Sequence, residues 1–415
     1  MLKKWDLNSK VMNILIGTFF TRTALFMSIP YLAIFLTSQK NISLLHTGYI
    51  LSINPLVNVL FSGFGGMLAD KLSLKKIIRY VPVVWGSVFI LFYFSDYFWQ
   101  FLLLSSLNGL CYSIFEPASK KVLSTQTNKG NRLLVFNLRY AAINVGAFLG
   151  PLLSLLFNMK TTLFPYIILG IIYVLYGAST QFFFNDLPDT EAPVHQKTLH
   201  IWQAISILRK DYIYILLLIG MSFSFFGYSQ LNATVSQYLA NSHTFADGIK
   251  LYSTLLSINA AIILTTQFIV LKSIAKWNPF NVFILSNLLI SISFLLFGFS
   301  SSYTLLFLSI TLFSLGELLI GARFDTLVDE LSSEASKGMY FGCSEFVKIG
   351  TVFGPIVGTG LLGQLGFQSG FPVFGLLFVI TIMGVGFISM AKVKFLSTTA
   401  IIPIGAENKK KSRLE

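Results

Sequence analysis

The sequence predicts an all-α integral membrane protein: twelve transmembrane helices in two six-helix bundles. Three observations carry this. Hydrophobic residues make up 54% of the 415, only 11% are charged and 41 are Phe, giving a mean hydropathy of +0.72. A soluble domain cannot hide that much apolar surface, so the bilayer must act as solvent. Next, apolar runs long enough to cross a hydrocarbon core of about 30 Å recur twelve times. Finally, the two halves repeat. Leu51-Ser52-Ile53-Asn54 returns as Leu256-Ser257-Ile258-Asn259, 205 positions on, and Gly146-x-x-x-Gly150-Pro151 returns as Gly350-x-x-x-Gly354-Pro355, 204 positions on. Two matches at nearly one offset, in corresponding spans, indicate a duplicated six-span unit.

The runs fall near 12–36, 47–68, 77–95, 99–118, 133–157, 162–184, 212–239, 250–272, 279–300, 303–327, 339–363 and 371–391. Each is read as a helix, because irregular backbone facing lipid leaves polar groups unsatisfied. Residues 1–184 form the first bundle and 211–391 the second. Between them, 185–210 is the longest polar stretch, a cytoplasmic linker in which Ile201 to Leu208 reads as an amphipathic surface helix. Residues 392–415 form a cytoplasmic tail whose Lys409, Lys410 and Lys411 favour anionic lipid. The net charge of +13 invites a nucleic-acid reading, but position decides against it. Of the 30 Lys and Arg, 23 fall in segments that a cytoplasmic N-terminus leaves inside, the positive-inside bias of a multispan protein with both termini cytoplasmic. Lys3, Lys4 and Lys10 anchor the first span, which is too long for a signal peptide and lacks its cleavage site. Cys111 and Cys343 lie within apolar runs and read as packing residues.

Gly66 to Lys76, G-M-L-A-D-K-L-S-L-K-K, is a short cytoplasmic hinge between the second and third spans. It resembles the G-x-L-A-D-K/R-x-G-R-K signature of the major facilitator superfamily, matched by Gly66, Leu68, Ala69, Asp70, Lys71 and Lys75. The resemblance covers nearly the whole chain. It implies two halves rocking about a midplane site, with Asp70 docking on the start of the eleventh helix near 336–338 to hold the outward-facing state. Ser73 and Leu74 depart from the family's Gly and Arg, and 119–131 holds no acid, so the family's second latch is expected to be absent. Ala275 stands at the Asp position of the second half, predicting an asymmetric gate. Gly146, Gly150 and Pro151 resemble the antiporter motif of facilitators that export by exchange. Gly350, Gly354 and Pro355 repeat it. The glycines permit close helix approach, and each proline removes a helical hydrogen bond. Asn144 either lines the half interface or pairs with a neighbouring helix. The family's Arg in the fourth span is replaced by Asn108-Gly109, so proton coupling must use other groups or be absent.

Charges within spans are costly and mark function by default. Arg22 lies in the first span, Glu116 in the fourth and Arg139 in the fifth. Glu116 with Arg139 reads as a pair between helices, with Arg22 pairing to Glu116 or meeting an anionic substrate. Glu345 and Lys348, three apart, read as a local pair, and Arg323 and Asp325 as interfacial. Glu317, within Leu315-Gly316-Glu317-Leu318-Leu319, has no countercharge nearby in sequence, which suits a carboxylate that loads and releases a proton. Its context resembles the L-G-E stretch of drug-exporting facilitators, where that Glu is implicated in cation recognition or proton coupling. Phe19, Phe20, Phe26, Tyr31, Tyr140, Phe223, Phe226, Tyr228, Gln230 and Asn232 are candidates to line the cavity.

Four histidines, at 46, 195, 200 and 243, form no ligand cluster, disfavouring a metal. There is no phosphate-binding G-x-x-x-x-G-K-S/T loop and no nucleophile-base constellation, so neither an ATPase nor an enzyme is expected, and no cofactor. The reading is a monomeric proton-coupled exporter of amphipathic small molecules, of the drug:proton antiporter type, in a prokaryotic cytoplasmic membrane. The proton gradient supplies the energy and the partners are a small-molecule substrate and the bilayer. The rivals are an exporter of one metabolite or siderophore, a proton-linked importer and a non-transporting membrane sensor.

Overall fold

The computed structural model describes residues 8–71, 74–128, 131–154, 162–185, 211–242, 247–274, 276–299, 302–331, 340 and 343–401. Twelve long helices are found among them: α1 (Ser9–Ser38), α2 (Leu44–Lys71), α3 (Leu74–Tyr93), α4 (Phe98–Thr125), α5 (Arg132–Ser154), α6 (Phe164–Phe183), α7 (Tyr212–Asn241), α8 (Gly248–Ile274), α9 (Pro279–Gly298), α10 (Tyr303–Leu331), α11 (Glu345–Leu365) and α12 (Gly370–Ile401). Eleven of them are long and apolar enough to cross a membrane. The twelfth, α5, carries Asn137, Arg139 and Asn144 among its apolar residues. One boundary moves: α12 continues to Ile401, ten residues past the expected end of the second bundle at 391, because nothing between Ala391 and Pro403 breaks a helix.

Local chemistry sets the helix ends. Asn8 caps α1 by accepting from the Lys10 amide at 3.1 Å, and Asp211 caps α7 by accepting from the Tyr214 amide at 2.9 Å. Asn278 caps α9 ahead of Pro279, whose missing N–H costs nothing at a first helical position. The Gln100 side chain reaches back to the amides of Asp96 and Tyr97 at the start of α4. Gly366, at φ 75°, ends α11 in a conformation that favours glycine. Pro55, Pro82, Pro117, Pro151 and Pro355 all sit inside helices, tolerated because neighbouring helices re-satisfy freed backbone groups.

Each half has its own apolar core. In the first, Trp85, Phe89, Phe92, Phe101, Tyr166 and Tyr173 pack between α3, α4 and α6. In the second, Phe280, Phe283, Phe294, Phe313 and Phe374 pack between α9, α10 and α12. Large apolar residues stay exposed along α3, α6 and α12, among them Val84, Leu91, Leu175, Phe182, Val379 and Met383. Those three helices present the surface that lipid would cover. The glycine motifs sit where helices meet most closely. A Cβ on Gly146 would lie 2.8 Å from the Thr23 amide nitrogen and one on Gly150 would lie 2.7 Å from Phe26 Cβ, so α5 lies against the backbone of α1. Gly350 and Gly354 set α11 against α7 at Phe226 in the same way.

The halves meet along α2 with α11 and along α5 with α8. At one end they are tied shut: Tyr31 and Ser253 share a 2.6 Å hydrogen bond, and Thr37 donates to Gln237 at 3.1 Å. Tyr31 also packs edge-on against Tyr252. Tyr31 therefore belongs to the core of the second half, although it is part of the first. One feature of α7 was not legible as such: a five-residue π turn, Leu231–Val235. Its surroundings are polar and buried. Gln230 donates to the carbonyls of Phe226 at 3.2 Å and Gly354 at 3.1 Å, and accepts from Thr234 at 2.5 Å. Tyr252 donates to Asn232 at 3.0 Å. The sequence signal was the polar alternation Gln230, Asn232, Thr234, Ser236 in an otherwise apolar run.

Candidate functional site

Three helices of the first half bring their charges to one carboxylate. Glu116 on α4 accepts from Arg22 of α1 at 3.1 Å and from Arg139 of α5, with Lys120, one turn along, at 4.0 Å. The glycines explain how three helices come so close. Gly146, two turns beyond Arg139, touches the backbone of Arg22 and Thr23, so α5 and α1 approach where their arginines must share a partner. The Arg22 guanidinium also lies over the Tyr112 ring, 5.7 Å from its centroid, an attraction that strengthens out of water. The Arg22 and Glu116 side chains are only 15% and 11% exposed. Desolvated charges of this kind persist only when paired.

The second half holds a different arrangement. Glu317, part-buried midway along α10, accepts from Asn259 Nδ2 of α8 at 2.8 Å, and the same nitrogen donates to Ser314 at 3.0 Å. No cation is found paired with Glu317 among the described residues. Asn259 is the last residue of the repeated Leu-Ser-Ile-Asn stretch, so the repeat supplies the acid's partner. Tyr140 of α5 and Tyr228 of α7 both lie within electrostatic reach of Glu317. Tyr140 comes from the opposite half and is 45% exposed. Asn144, one turn from Tyr140, is buried and lies beside the Tyr140 hydroxyl.

Other candidates are distributed more widely. Glu345 and Lys348 form an ion pair in the first turn of α11. Phe226 and Gln230 are buried between α7 and its neighbours, and only Phe20 and Tyr140 among the suggested cavity residues are strongly exposed. Gly66, Asp70 and Lys71 fall in the last turns of α2, and Lys75 is half-buried at the start of α3. The docking expected between Asp70 and 336–338, the surface helix at 201–208 and Ala275 lie outside the described residues. The side chains of Arg323 and Asp325 do too. Cys111 and Cys343 are free and buried.

Comparison with known proteins gives this geometry a family. The Major Facilitator Superfamily model matches residues 14–348. The uncharacterized MFS-type transporter YqjV of Bacillus subtilis is 36% identical, over 94% of this chain and 95% of its own length. A Na(+), Li(+), K(+)/H(+) antiporter of Planococcus maritimus is 25% identical over 86% of this chain and 89% of its own, and the multidrug resistance protein MdtH of Proteus mirabilis 23% over 80% and 81%. Among solved structures, a nucleoside transporter NupG variant superposes with a TM-score of 0.79 at 14% identity, over 92% of this chain and all of its own. That last likeness concerns the fold alone. The chain belongs to the major facilitator superfamily and is a multi-pass membrane transporter, not an enzyme.

Proposed function

We propose that this transporter is a proton-coupled exporter of amphipathic small molecules, with Glu317 as the group that carries the proton. The observation behind this reading is the setting of Glu317: a carboxylate midway along a membrane helix, held by the neutral Asn259 and within electrostatic reach of Tyr140 of the opposite half. An acid without a fixed cation can be discharged either by a proton or by a cationic substrate, and so exchanges one for the other. The two halves rock about this site. Protonation from outside releases the substrate, and substrate from inside displaces the proton. Gly146, Gly150 and Pro151, with their repeats, act by letting α5 slide on α1 and α11 on α7. In this reading both termini are cytoplasmic, the protein works as a monomer, and Asp70 with its lysines governs the inner gate. Distant likeness to multidrug resistance proteins agrees with it.

The test is efflux of a lipophilic cationic dye from loaded cells, with and without collapse of the proton gradient. Wild type should export in a gradient-dependent manner, and Glu317→Gln should lose that export. Gradient-intact wild-type cells that move no dye would reject the broad exporter reading.

One observation favours a second reading. Glu317 and Ser314 bring a carboxylate and a hydroxyl oxygen to the one Asn259 Nδ2, hard oxygen donors of the kind a hard cation takes, and a relative is a cation/proton antiporter by name. Sodium- or potassium-driven proton release from everted vesicles, lost in Glu317→Gln, would put this reading first.

A further inference from the structure

The charges facing the half interface are not balanced, and the imbalance lies on one side. Around Glu116 stand Arg22, Lys120 and Arg139. Lys348 of α11, paired with Glu345, also lies within electrostatic reach of Glu116 and Tyr112. Among the described residues, four cations thus confront two carboxylates, whereas Glu317 stands as a lone acid. Arg139 is itself only 7% exposed, and its Nε, fully buried, has no hydrogen-bond partner. Leaving a buried guanidinium N–H unpaired is expensive. The duplication shows that this cluster is particular to the first half: at the repeat offsets of 205 and 204, Arg22 corresponds to Gly227 and Arg139 to Cys343.

Tyr112, which lies under Arg22, is within electrostatic reach of Tyr228, and Tyr228 of Glu317. Tyr228 therefore lies near both Tyr112, on the side of the cationic cluster, and Glu317, with Tyr140 close to it as well. The geometry points to an anion site at Arg22, Lys120 and Arg139, so that the cargo carries a carboxylate or similar anionic group at one end and a cationic group toward Glu317. The substrate class is a zwitterionic amphiphile whose apolar body rests on the tyrosines. This inference rests on the carrier reading above and narrows its cargo.

The test uses a matched pair of dyes on the purified full-length protein in detergent. Rhodamine B carries a free carboxylate beside its delocalised cation, and its ethyl ester keeps the cation alone. Fluorescence anisotropy should show wild type binding the acid about tenfold more tightly than the ester, the scale of one desolvated charge-assisted contact. Arg139→Gln should bring the ratio to about one with ester affinity retained, and Arg139→Lys should keep the preference. Equal binding of acid and ester by wild type overturns the anion site while leaving cation export intact. If neither dye binds, sulfate decides: sodium sulfate should raise the wild-type Tm above that in sodium chloride at equal ionic strength. Absence of that rise, or its persistence in Arg139→Gln, overturns the proposal.

Discussion

Glu116 holds two guanidiniums from two different helices, which makes it the keystone of the first half and gives its removal a distinct cost. In Glu116→Gln, Arg22 and Arg139 would face one another in a desolvated place with no countercharge. Breaking a buried pair in this way costs about 3–5 kcal/mol, and the detergent-solubilised variant should show a strongly lowered Tm. Arg22→Gln leaves Glu116 bound to Arg139 and should cost clearly less. Equal Tm losses in the two variants would mean that Glu116 is not shared. At this scale the sequence exposed which residues were costly, since a charge in an apolar run is conspicuous wherever it sits. It also paired Glu116 with Arg139, but it left the partner of Arg22 open, because Arg22 and Glu116 lie 94 positions apart and only the approach of α1 to α4 joins them. Asn259 was hidden for the opposite reason. A single amide in a span is unremarkable until Glu317 is placed beside it.

At the scale of elements, the glycine pairs do what their spacing implies, and their environment can be tested. Gly150 has Phe26 Cβ, Phe26 C and the Met27 amide all within 2.8 Å of where a Cβ would stand. Those atoms are backbone or branch points and cannot swing aside. Gly150→Ala should therefore push α5 from α1, at about the 1–3 kcal/mol typical of overpacking, visible as a lower Tm. Gly386, with nothing within 4 Å, should accept alanine with almost no change. Matching losses at both positions would show that helix propensity rather than close approach governs the effect. Helix number and order were legible because lipid forces every span into one regular form. The π turn in α7 was not, since inserting one residue into a helical turn leaves hydropathy unaltered. The continuation of α12 past 391 escaped for a similar reason: falling hydropathy marks where lipid would end, and a helix stops only where its backbone is broken.

For the whole molecule, the decisive feature is that the halves are tied at one end, where α1 finishes and α7, α8 and α11 come to meet α1 and α2. By the predicted orientation this is the outer end. Rocking requires that end to part. Leu44 on α2 and Gly363 on α11 offer a way to forbid it, since a Cβ on Gly363 would stand 3.7 Å from Leu44 Cβ. That separation lies within the range of about 3.5–4.5 Å that a disulfide needs. In a background with Cys111 and Cys343 replaced by alanine, Leu44→Cys with Gly363→Cys should crosslink under mild oxidant and stop transport, and reductant should restore it. Each single cysteine variant should transport whether or not oxidant is present. Because the crosslink alters no charge near Glu317 or Glu116, its effect would report motion rather than chemistry. Substrate binding from the opposite end should persist in the locked protein, separating a blocked cycle from a damaged site. Undiminished flux through fully crosslinked protein would mean that substrate crosses without the halves separating at this end, and the rocking mechanism would fall with it.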